Sequence, residues 1–338
     1  MRVTSLGSGS SGNALLVEAG PRGRTKLLVD AGLSSRILVD RLRQAGIHLK
    51  QLQGVLVTHE HVDHIIGLPV LMKRYGIAAI AAPATLAAIQ QSINSASWSV
   101  EPVEMETLVS VSDTGPLAAN RVSSEYKETF AISVRQITSL PGELPENGVL
   151  LPAGDKTQLP TIPMELGSGR MIGDIEVVSF PVSHDAVAPA GYLLIAGGCR
   201  ICVVIDSGEV TPIMLEAMQH ADLLILESNH DRERLIRGPY PYALKQRILS
   251  ATGHLSNDQA ADAVLKTWRT DSVRWLWLSH LSRTNNTPKL ALKSMIKRLE
   301  KAGANLAQIH ISVSPPGMGG VWDSTQLWES PALWELPG

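Results

Sequence analysis

The stretch T58-H-E-H-V-D-H64 contains three histidines and an aspartate, and it directly follows the apolar run V55-L-V57. The whole chain of 338 residues has only 10 histidines. A short apolar run predicts a buried strand, so the polar cluster is expected in the loop that follows this strand. A lone histidine is usually a core or surface residue, but the pattern H-x-H-x-D-H indicates metal ligands.

The spacing within this motif predicts two metal ions. His59 and His61 can present two imidazoles to one ion, while Asp63 and His64 turn towards a second ion. Imidazole and carboxylate ligands suit Zn²⁺, Mn²⁺ or Fe, and the thiolates of a structural zinc site are missing from the motif. We therefore expect two divalent cations, with Zn²⁺ as the first expectation and Mn²⁺ or Fe as alternatives.

Three further candidate ligands also follow apolar runs. They are His184 after V177-V-S-F-P-V-S183, Asp206 after C202-V-V-I205, and His280 after W275-L-W-L-S279. Each run predicts a strand that carries its polar residue to the same edge of a sheet, which surface histidines would have no reason to share. These residues are predicted to complete the two metal sites.

Short apolar runs alternate with amphipathic helices in two blocks of the chain, which predicts an α/β fold with sheets covered by helices. The expected division is a first half at 1–106, an insertion at 107–169, a second half at 170–313 and a tail at 314–338. The insertion is proline-rich and shows no helical pattern. The tail contains Trp322, Trp328 and Trp334, and packing onto the body is the first expectation, with a partner surface as the alternative.

The composition is that of an ordinary globular protein, with 44% hydrophobic residues, 18% charged residues and a formal net charge of -2. It excludes a disordered chain, and any contact with nucleic acid must come from local basic patches. Residues 1–13 lack the apolar core of a signal peptide, so a cytoplasmic location without membrane contact is expected. Cys199 and Cys202 run into a strand and are expected to be structural, without a disulfide.

The histidine motif and the three strand-end residues resemble the metallo-β-lactamase superfamily. The resemblance implies an αββα four-layer sandwich and hydrolysis by a metal-activated hydroxide. It implies that His59, His61 and His184 hold one ion, that Asp63, His64 and His280 hold the other, and that Asp206 bridges both. Asp30, in L27-L-V-D-A-G32, resembles an aspartate that supports the ligand loop.

The stretch A251-T-G-H-L-S-N-D-Q259 predicts a catalytic residue. Ser256 and Gln259 have the S-x-x-Q form of a capping box, so a helix should begin there with His254 just ahead of its positive end. His254 resembles the histidine that tRNA 3′-processing ribonucleases use beside their metals as a proton donor. His254 and Asp63 are thus the predicted catalytic residues, and a solvent-exposed histidine is the alternative for His254.

Several further stretches resemble the YycJ (WalJ) group of metal-dependent DNA exonucleases, which have a 5′ to 3′ preference. They include S5-L-G-S-G-S-S-G-N13, L226-E-S-N-H-D231, Y240-P-Y-A-L-K-Q-R-I-L249 and S279-H-L-S282. The resemblance implies a phosphodiesterase that acts on DNA. A small-molecule hydrolase for a thioester, lactone or cyclic phosphodiester is the alternative, and a binding module that keeps metal only for stability is a weaker one. The sequence leaves the oligomeric state open.

Contacts with a nucleic-acid substrate are predicted from the same stretches. Backbone groups of the Gly/Ser loop could bind a phosphate, and basic side chains could neutralise the backbone while Tyr240 and Tyr242 stack on bases. A solvated helix face would explain the same charges. The predicted substrate-binding residues are Ser10, Asn13, Asn229 and His230, and the basic residues are Arg232, Arg234, Arg237, Lys245 and Arg247. Local hydrogen bonding is the alternative for His230, and a simple tight turn is the alternative for the Gly/Ser loop.

Overall fold

A computed structural model describes residues 1–95, 159–270 and 272–329. In chain order the strands are β1 (Arg2–Gly7), β2 (Ala14–Ala19), β3 (Thr25–Val29), β4 (Gly54–Leu56), β5 (Ala79–Ala81), β6 (Thr161–Pro163), β7 (Gly169–Ile172), β8 (Ile175–Pro181), β9 (Ala190–Ala196), β10 (Cys199–Val204), β11 (Leu223–Glu227), β12 (Arg274–Ser279), β13 (Ile309–Val313) and β14 (Val321–Asp323). The helices are α1 (Ser35–Gln44), α2 (Val62–Ile65), α3 (Leu68–Tyr75), α4 (Pro83–Asn94), α5 (Pro212–Gln219), α6 (Arg232–Arg237), α7 (Tyr242–Leu249), α8 (Asn257–Lys266), α9 (Pro288–Lys301) and α10 (Gln326–Glu329).

The strands form two seven-stranded sheets. Their orders are β14-β1-β2-β3-β4-β5-β6 and β13-β12-β11-β10-β9-β8-β7. Strands β3 to β6 are mutually parallel in the first sheet, and β10 to β13 are parallel in the second. Each parallel set therefore delivers all its carboxyl ends to one edge of its sheet.

Apolar side chains fill three layers between the elements. The central layer joins the inner faces of both sheets, with Leu27 and Val29 from the first and Ile201 and Val203 from the second. A second cluster packs α1, α3 and α4 on the outer face of the first sheet, and a third packs α5, α8 and α9 on the second. The predicted αββα sandwich is therefore confirmed.

The two cysteines lie on opposite faces of β10, as their spacing predicted. Cys199 faces the central layer and Cys202 the outer one, and both are buried free thiols. Burial raises the pKa of the Cys199 thiol to about 12. A thiol that stays protonated and enclosed is a packing group, in line with the structural role expected for both.

Part of the predicted insertion belongs to the sandwich. Thr161–Pro163 form β6, which pairs in parallel with β5, and β7 begins at Gly169. The three residues of β6 are too few to display an alternating apolar pattern, so their strand depends on pairing with a neighbour distant in sequence. The expected insertion between residues 107 and 158 lies outside the described residues.

The tail also joins the sandwich, through β14. Val321–Asp323 pair antiparallel with β1, and the Trp322 side chain is 1% exposed, with its ring 6.3 Å from that of Trp275. Trp322 thus packs onto the body, as expected. The Trp328 side chain and the whole of Trp334 lie outside what the structure describes.

Truncating Trp322 is expected to destabilise the fold. Trp322→Ala should lower the free energy of unfolding by about 3–5 kcal/mol, because it removes a large buried side chain from the central layer. Urea unfolding followed by circular dichroism measures the change. Val321→Ala, at a neighbouring side chain that is 44% exposed, should cost less than about 1 kcal/mol. Equal small effects of both substitutions would mean that the tail does not belong to the core.

No helix within the described parts of the chain combines the length and the apolar character needed to cross a membrane.

Candidate metal centre

The candidate ligands converge because parallel strands end side by side. Asp206 follows β10, Glu227 is the last residue of β11, and His280 follows β12. In the facing sheet, Asp30 follows β3 and the histidine loop follows β4. The two sheets therefore present their polar strand ends to one common rim.

Three of these strand-end residues have strained backbones. Asp30, Asp206 and His280 have φ values of 61°, 62° and 54°, and only Arg22 joins them among the non-glycine residues described. Left-handed backbone costs a non-glycine residue of order 1–3 kcal/mol and persists where the surroundings enforce it. The chain thus turns sharply after each strand, which aims these side chains at the rim.

The first cluster consists of three imidazoles. The ligand atoms of His59, His61 and His184 all lie within 4.8 Å of one another. The Nε2 atom of His184 is 3.3 Å from Nδ1 of His61. The Nε2 atom of His59 is buried and makes no hydrogen bond to any described residue.

The second cluster combines two carboxylates with two imidazoles. The ligand atoms of Asp63, His64, Asp206 and His280 also lie within 4.8 Å of one another. The Oδ2 atom of Asp206 is 2.8 Å from Nε2 of His64 and 3.5 Å from Nε2 of His59, so this carboxylate lies between the two clusters. Its Oδ1 atom is 2.5 Å from Nδ1 of His280.

This arrangement fits cations better than a network of hydrogen bonds. Buried polar atoms are normally hydrogen-bonded, yet Nε2 of His59 and Nε2 of His280 have no such partner among the described residues. Burial and the neighbouring His64 lower the pKa of His59 well below its usual value, so this imidazole is neutral and can donate a lone pair. Clustered imidazoles and carboxylates are the ligand set of Zn²⁺, Mn²⁺ and Fe.

Neighbouring groups fix the orientation of two ligands. Asp30 accepts hydrogen bonds from the Thr58 backbone N–H at 2.8 Å and from Nδ1 of His64 at 2.7 Å. Nδ1 of His184 donates to the Gly253 carbonyl at 3.0 Å. With Nδ1 engaged in this way, the Nε2 atom of each ring points to the clusters. Asp30 therefore lies where a supporting aspartate was expected.

The Gly/Ser loop between β1 and β2 holds the ligand segments in place. The Asn13 backbone N–H donates to the Asp63 carbonyl at 2.9 Å, and its side-chain nitrogen is 3.2 Å from Nε2 of His64. Ser8 accepts a hydrogen bond from the His280 backbone N–H at 2.8 Å. Gly32, in the turn after β3, also approaches the ligand loop closely. A Cβ atom at this position would lie 1.7 Å from the Asp63 carbonyl oxygen, so glycine is required there.

A cavity of about 290 Å³ opens beside both clusters, and the predicted substrate-binding residues divide around it. Ser10 and Asn229 line the cavity. Asn13 is 1% exposed and His230 is fully buried, and neither lines it. Asn13 instead bonds to the ligand loop, while His230 forms a β-bridge to Ser256, and burial lowers the pKa of His230 to about 4. For these two residues the structure favours a supporting role over substrate contact.

His254 lines the same cavity and has an acidic partner that the sequence reasoning missed. Its Nδ1 atom is 2.7 Å from Oε1 of Glu227, and that oxygen is also 2.9 Å from Nδ1 of His280. Burial lowers the pKa of His254, but Glu227 and Asp206 outweigh this effect and raise it to about 10. Glu227 is the last residue of an apolar strand, and Asp206 and His280 follow apolar strands in a similar way. A polar residue at the end of an apolar run is therefore the signal that could have identified Glu227.

Helix α8 begins where the capping box predicted. Ser256 accepts from the Gln259 backbone N–H, and the Gln259 side chain accepts from the Ser256 backbone N–H at 3.0 Å. His254 therefore sits two residues ahead of the cap, beside the positive end of the helix.

A third group of possible ligands overlaps the second cluster. The ligand atoms of Asp206, Glu227, His254 and His280 also lie within 4.8 Å of one another. His254 therefore has the position of a metal ligand as well as that of a proton donor.

Comparisons with known proteins agree with this fold. A family model described as the metallo-beta-lactamase superfamily matches residues 7–120, and one described as a beta-lactamase superfamily domain matches residues 132–273. The chain belongs to the metallo-β-lactamase superfamily and is a hydrolase of that fold.

Two relatives and one solved structure describe the similarity further. Exodeoxyribonuclease WalJ of Streptococcus pneumoniae serotype 2 is 32% identical over 297 residues, which cover 88% of this chain and 87% of that protein. Exodeoxyribonuclease YycJ of Bacillus anthracis is 32% identical over 303 residues, 90% of each chain. Zn(2+)-bound PqqB from Methylobacterium extorquens has a similar fold, with a TM-score of 0.57 at 16% identity, covering 96% of this chain and all of that one.

Proposed function

We propose that the chain is a DNA exonuclease that hydrolyses phosphodiesters at a centre of two divalent ions, with 5′ to 3′ polarity. The observation that carries the proposal is the position of Asp206 between two clusters of buried ligands. The similarity to two exodeoxyribonucleases over most of the chain supports DNA as the substrate, and the 5′ to 3′ polarity is what the family resemblance implies.

In this proposal the seven ligands divide between two sites. His59, His61 and His184 would hold one ion, Asp63, His64 and His280 would hold the other, and Asp206 would serve both. When bound, a pair of divalent ions lowers the pKa of water and neutralises the charge that develops on a phosphodiester. Zn²⁺ and Mn²⁺ both suit this ligand set, so cellular supply contributes to which metal is used.

His254 supplies the proton that the leaving oxygen needs. Glu227 accepts the Nδ1 hydrogen of His254, which leaves Nε2 as the proton-donating atom. Glu227 and Asp206 raise the pKa of His254, which favours the protonated imidazole that a general acid requires. Buried Glu227 also bonds to the backbone N–H groups of Ser207 and Leu255, so its position is fixed on both sides.

Removing the charge of Glu227 should shift the pH dependence of the reaction. In Glu227→Gln the negative charge that raises the pKa of His254 is lost, so the imidazole gives up its proton at lower pH. The alkaline limb of kcat should move to lower pH by about 1–3 units. Steady-state rates across neutral and alkaline pH measure this. An unmoved limb would show that His254 is not the acid that limits the rate.

The proposed reaction is tested with the purified protein and DNA labelled at either end. With Mn²⁺ or Zn²⁺, a label at the 5′ end should be released at once, and DNA labelled at the 3′ end should shorten progressively. A closed circle of DNA should stay uncut. RNA of the same sequence, a thioester, a lactone and a cyclic phosphodiester serve as comparison substrates. Failure to cut DNA with any divalent metal, together with turnover of one of the small substrates, would establish the small-molecule alternative instead.

A further inference from the structure

The cavity beside the metal ligands has one wall made by a single helix and the residues just ahead of it. Leu244 and Ile248 lie four apart on one face of α7, and Arg247 of the same helix and Tyr240 just ahead of it also line the cavity. We call these four residues the α7 wall. The rest of the lining is mostly polar, with metal-ligand candidates together with Ser10, Asn229 and Ser282.

The α7 wall offers a phenol ring and two branched aliphatic side chains to the cavity. Such surfaces bind the flat faces of nucleobases without regard to sequence. Tyr242, also expected to stack, does not line the cavity and is 76% exposed. At about 290 Å³ the cavity is at the small end of the range for ligand pockets, roughly 300–1,000 Å³. It suits one nucleotide and not a base pair.

Arg247 adds a fixed positive charge to this wall. Its Nε–H donates to Oδ2 of Asp185 at 2.5 Å, and Oδ1 of Asp185 is 3.3 Å from Nε2 of His184. The guanidinium is therefore held close to a candidate metal ligand. Its remaining N–H groups have no partner among the described residues, and 59% of the side chain is exposed. A guanidinium in this state can bind a phosphate with two parallel hydrogen bonds.

We infer that the α7 wall is the binding site for the terminal nucleotide of a DNA strand. Tyr240, Leu244 and Ile248 pack on the nucleobase, and Arg247 binds a phosphate of that nucleotide next to the ions. The inference rests on the proposed function, and it adds a reason for exonuclease action. A cavity with room for about one nucleotide favours a chain end over an internal position.

The test combines a change in the protein with a change in the DNA. The substrates are one oligonucleotide with ordinary terminal nucleotides and one whose terminal residues are stable abasic analogues. For the wild type, loss of the base should lower kcat/KM by about 5- to 150-fold. Tyr240→Ala combined with Leu244→Ala should cause a loss in the same range on ordinary DNA and little further loss on abasic-ended DNA, because the base that the wall binds is already absent.

Two other variants complete the design. Arg247→Gln should lower kcat/KM by about 10- to 150-fold on both substrates, since both keep the phosphate. Tyr242→Ala, on the same helix but outside the cavity, should leave both rates unchanged. Metal content and the unfolding midpoint of each variant should match the wild type, which confirms that the centre and the fold are intact.

Equal losses on ordinary and abasic-ended DNA, or a wild type that does not distinguish the two, would overturn the α7 wall as a base-binding site. The proposed nuclease function would survive those results, because DNA would still be cleaved. Complete absence of DNA cleavage by the wild type would overturn both.

Discussion

Asp206→Ala is expected to abolish hydrolysis and to reduce the metal content from two ions per chain to one or none. The Asp206 carboxylate reaches His59 and His64 through one oxygen and His280 through the other. Without this carboxylate, each cluster loses the ligand that it shares with the other. Each ion contributes several kcal/mol of charge stabilisation, so kcat/KM should fall at least about 10³-fold. Elemental analysis of the purified variant and its rate on DNA measure both effects.

The backbone at position 206 calls for a companion variant. Because φ is 62° there, alanine adds strain that asparagine tolerates better. Asp206→Asn keeps the shape of the side chain and removes its charge, so it should also lose metal and activity. Asp222→Ala is the matched control. Asp222 comes just before β11, at the end of that strand away from the rim, and it accepts a hydrogen bond from the Arg200 backbone N–H. Two bound ions in Asp206→Asn would refute the bridging assignment.

His254→Ala is expected to lose turnover while keeping both ions. General acid catalysis contributes about 10²- to 10⁴-fold, so kcat on DNA should fall within that range. Metal content should stay at the wild-type value, because His254 is not one of the seven assigned ligands. Loss of an ion from this variant would instead assign the group of Asp206, Glu227, His254 and His280 as a metal site.

The leaving group provides an independent test of the same role. A phosphodiester that releases p-nitrophenolate needs little help from an acid, because this anion is a stable leaving group. His254→Ala should therefore lose far less activity on such an ester than on DNA, where an alkoxide leaves. Equal losses on the two substrates would contradict a proton-donor role and favour a role in binding or in metal ligation.

Much of the fold could be predicted from the sequence because its strands are short apolar runs with marked ends. The cap residue Ser256 begins a helix in the structure, as its capping-box pattern predicted. Strands β6 and β14 could not be predicted in the same way. Each has three residues, and each depends on pairing with a partner far away in the sequence.

The ligand candidates could be predicted because strand ends are visible in a sequence. The residues that hydrogen-bond to these ligands are harder to predict, because such bonds join segments that are distant in sequence and meet only in the folded chain. Glu227 is harder to predict because it is itself the last residue of its apolar strand, whereas Asp206 and His280 come after theirs. Asn13 was expected at the substrate because Gly/Ser loops often bind phosphate, yet it bonds to the Asp63 carbonyl.

Backbone strain at the rim contributes to the positions of the candidate ligands. Asp30, Asp206 and His280 turn sharply after their strands, and the packed sheets on either side enforce these turns. The interlayer core thus contributes to the site, because it holds three strained residues in place before any ion or substrate binds.

The central claim is that seven side chains hold two ions that share Asp206. Anomalous difference maps from crystals grown with Mn²⁺ or Zn²⁺ test it most directly. We expect two peaks about 3.5–4 Å apart, one among His59, His61 and His184 and the other among Asp63, His64 and His280, with Asp206 between them. A single peak, or a peak enclosed by Glu227 and His254, would contradict the claim.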